Sequence, residues 1–320
     1  MLRSFLIYLS HAAWARNMVT HWAFAWRAAS RFIAGEKLED GIAVIRRLNE
    51  KGINATLDHL GEHTTNPDES RRAAGDIIQA LEAIERAGVR SNVSIKLTQI
   101  GLALGEDLAE ENLKRILQCA QEVRNFVRID IEDSPWVDKT LALYRRMRFD
   151  YGLDNVGVAI QSYLYRSEKD ILQLRDECTR VRLCKGAYKE PPDIAFPKKQ
   201  DVDDNYDLLV RLLMDGALQF GCQQLSEDGR IPPIPALATH DEKRILNAKA
   251  YAQKIGLPKK ALEFQMLNGI RRDLQESLSA EGFPVRVYVP YGTQWYPYFV
   301  RRLAERPANV WFFISNFFRS

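Results

Sequence analysis

Two adjacent guanidiniums, Arg301 and Arg302, close an aromatic-rich stretch, Tyr288 to Glu305 (YVPYGTQWYPYFVRRLAE). An arginine presents a planar fork of donors that matches a carboxylate, and rings beside it can wall off the apolar part of the same molecule. These residue types therefore suit a small carboxylic acid; the competing reading is a core-packed aromatic turn followed by a solvated arginine pair. Lys96 adds a third cation, with an ion pair, a substrate contact and a Schiff-base nucleophile all open to it. Lys185 carries the same ambiguity. It lies in residues 182–191 (RLCKGAYKEP), where Gly186 permits close backbone approach and the basic pair Lys198 and Lys199 follows. That combination suits a flat ring and a pyrophosphate, against the plain alternative of a turn before a proline-rich loop. His240 suits either a general base or a hydrogen bond to a cofactor. His59-Leu60-Gly61-Glu62-His63 matches the spacing of a zinc-protease motif. That motif needs a helix to put both histidines on one face, whereas this one begins at a strand end and contains Gly61, so no metal is expected. A serine-hydrolase reading fails for want of a G-x-S-x-G elbow.

The elements that must position these groups alternate in type. Residues 1–50 have apolar residues at helical spacings and read as an N-terminal helical segment. From Lys51 onward, short β-branched runs alternate with amphipathic stretches. The runs are Ile53 to Leu60, Asn92 to Leu97, Val127 to Glu132, Asn155 to Gln161, Val181 to Tyr188, Pro235 to Asp241, Leu262 to Leu267 and Val285 to Tyr291. A helical stretch follows each of the first seven, and a further helix begins near Tyr298. Eight strand-helix cycles predict a closed α/β barrel of the (β/α)8 type over residues 51–307, with 308–320 as an apolar C-terminal segment. An open doubly wound sheet would ordinarily advertise a Gly-rich first turn, and no G-x-G-x-x-G or P-loop occurs. In such barrels chemistry sits at the C-terminal ends of the strands. Polar residues collect there: Asp58 and Glu62, Lys96, Asp130 and Glu132, Gln161, Lys185 and Tyr188, Thr239, His240 and Asp241, Gln265, and Tyr288.

Composition narrows the partners. Of the 320 residues 46% are hydrophobic and 27% charged, as expected for a chain with a sizeable core. A net charge of +3 without a long basic run gives no support for a nucleic-acid partner. The cysteines, Cys119, Cys178, Cys184 and Cys222, form no C-x-x-C, so a reducing cytoplasmic setting is expected. No apolar run reaches the roughly 20 residues of a spanning helix.

Taken together, Asp58-His59-Leu60-Gly61-Glu62, Ser94-Ile95-Lys96-Leu97, Asp130 to Ser134, Gln161 to Arg166, Arg182 to Tyr188, Ala238 to Asp241 and Phe264 to Leu267 resemble the bacterial monofunctional proline dehydrogenases, over nearly the whole chain. The resemblance implies a distorted barrel with its last helix over the mouth, an FAD cofactor, and oxidation of L-proline to Δ1-pyrroline-5-carboxylate. It implies that Lys96, Arg301 and Arg302 bind the proline carboxylate and that Leu267, Tyr288 and Tyr298 pack the ring. Asp130 and Arg182 match catalytic positions of the family, and Glu62 with Arg182 matches an ion-pair gate. FAD contacts are implied for Ile131, Gln161, Arg182, Lys185, Gly186, Ala187, Tyr188, Thr239, His240 and Gln265, with Lys198 and Lys199 at the pyrophosphate. A quinone acceptor and a separate pyrroline-5-carboxylate dehydrogenase complete the implied setting. The aromatic Val310 to Arg319 suits shallow docking on the inner face of a membrane or packing on protein. The rival functions are a Schiff-base aldolase using Lys96 or Lys185 on the same barrel, and a barrel that only binds ligand. Residues 219–235 are longer than the resemblance leads one to expect, leaving that loop's role open.

Overall fold

The computed structural model describes residues 26–61, 64–188, 190–221 and 225–305, apart from residue 28. Glu62 and the segment Val310 to Arg319 lie outside the described residues. Eight parallel strands close into one barrel in sequence order: β1 (Asn54–His59), β2 (Ser91–Lys96), β3 (Val127–Asp130), β4 (Val156–Gln161), β5 (Val181–Cys184), β6 (Ala236–Ala238), β7 (Glu263–Leu267) and β8 (Val285–Tyr291). Closure comes from β1 pairing with β8, Ala55 opposite Val287 and Leu57 opposite Val289.

The helices α1 (Leu38–Glu50), α2 (Pro67–Ala87), α3 (Glu106–Glu122), α4 (Val137–Arg145), α5 (Ser167–Asp176), α6 (Lys199–Gln219), α7 (Glu242–Ile255), α8 (Arg272–Ala280) and α9 (Trp295–Glu305) surround it. Their boundaries follow local chemistry. At α2, Pro67 occupies the first turn, the Asn66 side chain accepts from the Glu69 N–H at 3.0 Å, and Gly88 ends the helix in the left-handed region. Helix α1 shares its core with the barrel, burying Ile42 and Ile45.

Period-2 alternation divides each strand between two environments. One set, including Leu57, Ile95, Ile129, Val158, Leu183, Phe264 and Val287, is buried in the main hydrophobic core. Each such side chain contributes roughly 1.5–3 kcal/mol on burial. The alternate set is polar: Thr56 and Asp58, Asn92, Ser94 and Lys96, Arg128 and Asp130, Arg182, Glu263 and Gln265, and Arg286 are all buried or half-buried. Hydrogen bonds joining β2 to β5, β3 to β5, β3 to β8 and β5 to β7, none of them neighbours, place this second set inside the barrel.

Both ends of the barrel are covered. At the N-terminal end, the loop of residues 219–235 brings the Gly229 carbonyl to Arg286 at 2.7 Å and the Arg230 carbonyl to Asn92 at 3.0 Å. Gly229 has φ +69°, and a Cβ there would meet Asn54 Oδ1 at 2.4 Å, so close approach and backbone conformation both call for glycine. The loop left open by the sequence therefore plugs the barrel floor. Over the opposite end lies α9, whose Trp295, Tyr296, Tyr298 and Phe299 are buried in a second cluster with Leu60 and Ile270 from the strand ends. The N-terminal segment straps it down: Trp26 meets Trp295 edge-on at 5.3 Å, and the Ala34 N–H donates to the Pro290 carbonyl at 2.9 Å.

Three sequence-based boundaries need correction. Helix α9 begins at Trp295 rather than near Tyr298, because Pro297 falls in its first turn, where no intrahelical N–H is required. β5 stops at Cys184 and β6 at Ala238, short of Tyr188 and Asp241, since the chain turns out of the sheet at the barrel rim and Gly186 takes φ +110°.

Candidate active site

The polar interior of the barrel converges on Asp130 at the end of β3. Its Oδ1 accepts from Arg182 Nη1 at 2.6 Å and from Ser94 Oγ at 3.0 Å, while Oδ2 accepts from the Tyr288 hydroxyl at 2.9 Å. Arg182 is held on its other edges as well. Its Nε donates to Gln265 Oε1 at 2.7 Å and its Nη2 to Ser94 Oγ at 3.1 Å, and the guanidinium carbon sits 5.3 Å from the centre of the Tyr288 ring. Side chains from five strands, β2, β3, β5, β7 and β8, thus lock one carboxylate and one guanidinium together. Burial pushes the Tyr288 phenol well above its ordinary value, with the Asp130 and Asp58 carboxylates adding to the effect. Tyr288 therefore stays protonated and donates.

A second pair adjoins the first. Lys96 Nζ lies 3.5 Å from Asp58 Oδ1, both side chains almost wholly buried. Burial raises the Asp58 carboxyl above its usual range, Lys96 pulls it back, and nearby Asp130 raises it again. Above these groups, Tyr298, Arg301 and Arg302 share one face of α9 by their i, i+3 and i+4 spacing. The Arg302 guanidinium lies 5.0 Å from the centre of the Tyr298 ring. Tyr298 lies near enough to Tyr288 to add slightly to the upward push on its phenol.

On the other side of the mouth, Gln161 Nε2 donates to the Ile131 carbonyl at 2.9 Å, which fixes its amide and leaves the buried Oε1 as an acceptor with no donor among the described residues. His240 Nε2 accepts from the Leu267 N–H at 3.0 Å, which puts the ring proton on Nδ1 and occupies the nitrogen a general base would use. Thr239 is tied by its N–H to the Gln265 carbonyl at 3.1 Å. The stretch after β5 forms one wall of a cavity of ≈ 450 Å³ lined by Tyr163, Lys185, Gly186, Tyr188, Lys198 and Lys199, among others. Ala187, between Gly186 and Tyr188 in the chain, is exposed and does not line the cavity. Gly186 again has a geometric reason, since a Cβ there would meet the Tyr163 ring at 2.2 Å. Lys185 bridges Asp203 at 2.5 Å and Asp241 at 2.7 Å. Burial works against the Asp203 charge, but hydrogen bonds from Lys185 and Lys199 outweigh it and hold that carboxyl below its ordinary value.

The structure thus brings Asp130, Arg182, Gln265 and Tyr288 into direct contact and sets Lys96 on a neighbouring strand. Arg182 is engaged by Asp130, Gln265 and Ser94, while Glu62, its expected gate partner, is among the residues not described. Sequence reasoning missed Ser94, Glu263 and Arg286 as members of the interior network, although their period-2 placement along the strands could have shown them. Among the described residues no His, Cys, Asp and Glu cluster has the makings of a metal site, and His59 stacks on Tyr291 with ring centres 5.0 Å apart. No described helix is long and apolar enough to cross a membrane.

Comparison with known proteins adds an independent line. The family described as Proline dehydrogenase matches residues 42–314. The chain is 42% identical over 294 residues to "Proline dehydrogenase" of Deinococcus radiodurans, covering 91% of this chain and 90% of that protein. It is 40% identical over 311 residues to "Proline dehydrogenase 2" of Bacillus subtilis, covering 97% and 96%. Among solved structures, proline utilization A from Bdellovibrio bacteriovorus, inactivated by N-propargylglycine, superposes with a TM-score of 0.78 at 24% identity. That match covers 88% of this chain and 33% of the larger protein, and it carries the fold alone.

Proposed function

We propose, because this chain belongs to the proline dehydrogenase family, that the barrel mouth described above is where it oxidises L-proline to Δ1-pyrroline-5-carboxylate, with FAD as the hydride acceptor. The single observation that best supports this siting is the Asp130–Arg182–Tyr288 network, held by five strands beneath a helix that carries two further arginines.

Lys96, Arg301 and Arg302 are assigned to the proline carboxylate, and Leu267, Tyr288 and Tyr298 to the faces of the pyrrolidine ring. A carboxylate gripped by forked donors fixes the ring's orientation, and orientation is most of what a hydride transfer asks of the protein. Lys96 is paired with Asp58 at 3.5 Å, which suits a carboxylate ligand better than an amine nucleophile. Lys185, bridged by two carboxylates, likewise argues against the aldolase alternative.

FAD fits the residues present. The buried Gln161 acceptor matches an N–H donor on a flat heterocycle, and Lys198 and Lys199 stand at the N-terminus of the 21-residue helix α6, where phosphates are favoured. Ile131, Ala187, Tyr188, Thr239, His240 and Gln265 complete the assigned contacts. Bound FAD supplies acceptance of the hydride from proline C5. The protein's own part is to hold the ring, to exclude water beneath α9, and to receive an amine that has lost its proton. Proline gives up a hydride from C5 and a proton from nitrogen, and the C5–N bond becomes double. Cations around the carboxylate disfavour the ammonium form and so favour the reactive one.

Electron transfer onward to a quinone, with Val310 to Arg319 resting on a membrane surface, belongs to the same proposal and is supported by that segment's composition. Further oxidation of the product falls to a separate dehydrogenase. Anaerobic reduction of the FAD-loaded protein by L-proline tests the reading.

A further inference from the structure

Beneath the site, a continuous file of side chains runs down the barrel to its floor. Arg182 Nε donates to Gln265 Oε1 at 2.7 Å, Gln265 Nε2 donates to Glu263 Oε1 at 2.6 Å, and Arg286 Nε donates to the same oxygen at 2.9 Å. Arg286 is anchored in turn by the Ala55 carbonyl and by the Gly229 carbonyl of the plug loop, both at 2.7 Å. Glu263 and Arg286 are essentially inaccessible to solvent. A primary amide has one donating and one accepting end, so whatever binds Gln265 Nε2 decides which end faces Arg182. Here a carboxylate binds the nitrogen, and the oxygen is therefore turned toward the guanidinium. Were the amide reversed, its N–H groups would confront the Nε donor of Arg182.

The geometry points to Glu263 and Arg286 as positioning residues for proline oxidation: fixed by the plug loop, they set the Gln265 amide, which aims Arg182 at Asp130 and so settles the network that faces the substrate. Neither residue lies among the groups assigned to substrate or cofactor. The pair also balances charge where the Arg128, Arg182 and Arg286 guanidiniums share the interior with the Glu263 and Asp130 carboxylates.

This inference rests on the reading of the barrel mouth as the proline site, and the two can fail separately. Two changes at the pair test it in the FAD-loaded full chain. Glu263→Asp keeps a charge for Arg286 but withdraws the carboxylate from Gln265 by one methylene. The double change Glu263→Met, Arg286→Met removes both charges together, which buried pairs commonly tolerate without loss of folding. In both, kcat for proline is expected to fall at least tenfold, while KM moves less than threefold, because the carboxylate grip on α9 and β2 is untouched. Adding Gln265→Glu to the double variant should restore kcat at least threefold, since either oxygen of a carboxylate accepts from Arg182 and no orienting partner is needed. A variant with a wild-type melting temperature and wild-type kcat would overturn the inference, as would a loss in kcat per bound flavin, at saturating FAD, that Gln265→Glu leaves unrelieved. A wild-type protein that ignores proline would instead overturn the reading of the site.

Discussion

The Tyr288 hydroxyl donates to Asp130 at 2.9 Å, although β8 and β3 are not neighbours in the barrel. That bond crosses the interior and leaves the tyrosine ring beneath α9, with Arg182 against its face. It ties the part of the site assigned to the substrate ring to the part that fixes the buried guanidinium.

Arg182→Lys tests that guanidinium. A lysine offers one point charge where arginine makes three separately directed hydrogen bonds, to Asp130, Gln265 and Ser94. The expected loss is on the order of 100-fold in kcat/KM for proline, about 2.7 kcal/mol of transition-state stabilisation. Steady-state kinetics with an artificial acceptor would show it, and a loss under threefold would remove Arg182 from the chemistry.

Arg301→Lys should act differently. Replacing a forked donor by a point charge weakens ground-state and transition-state binding alike, so KM for proline should rise roughly tenfold, about 1.4 kcal/mol, with kcat little changed. An unchanged KM would count against the carboxylate assignment.

Asp58 makes a prediction about pH. Its folded-state carboxyl is raised, burial being the main cause, so its contribution to stability is complete below the unfolded value of about 3.9 and is lost as pH rises through the folded value. Asp58→Asn removes that dependence. Loss of the Lys96 partner adds an offset that is constant over this range, since lysine's ordinary titration lies far above it. The melting temperature of the variant minus that of wild type should therefore become more positive from pH 4 to pH 7. A difference that is flat or declines with pH would refute the assignment.

Gly186→Ala forces a Cβ onto the Tyr163 ring and a side chain into a left-handed backbone. A strain of roughly 1–3 kcal/mol is expected. It falls in the wall assigned to FAD, so the apoprotein should bind FAD at least tenfold more weakly in a fluorescence titration. Unaltered affinity would move the cofactor away from this wall.

Much of the architecture could be read from the chain because each strand combines β-branched residues with a bounded length, and each helix has its own apolar period. Asp130, Arg182, Gln265 and Tyr288 were legible as polar residues in or at the ends of those strands. Their mutual contacts were not, since which strand faces which across a barrel depends on closure, and no local pattern records it. Glu263 and Arg286 carry the period-2 signal of inward residues, but each stands near the start of a strand, where polar residues look like rim residues. The plug loop showed only as excess length until Gly229 was seen against Asn54. Pro297 misplaced the start of α9 because proline stops a helix anywhere but its first turn.

The most direct test of the central claim is the visible spectrum of the purified, FAD-supplied protein before and after anaerobic addition of L-proline. An oxidised-flavin band at about 450 nm is expected to bleach on addition of proline, with Δ1-pyrroline-5-carboxylate formed in equal amount. A flavin band that proline leaves unchanged, or a protein that binds no flavin at all, would contradict that claim.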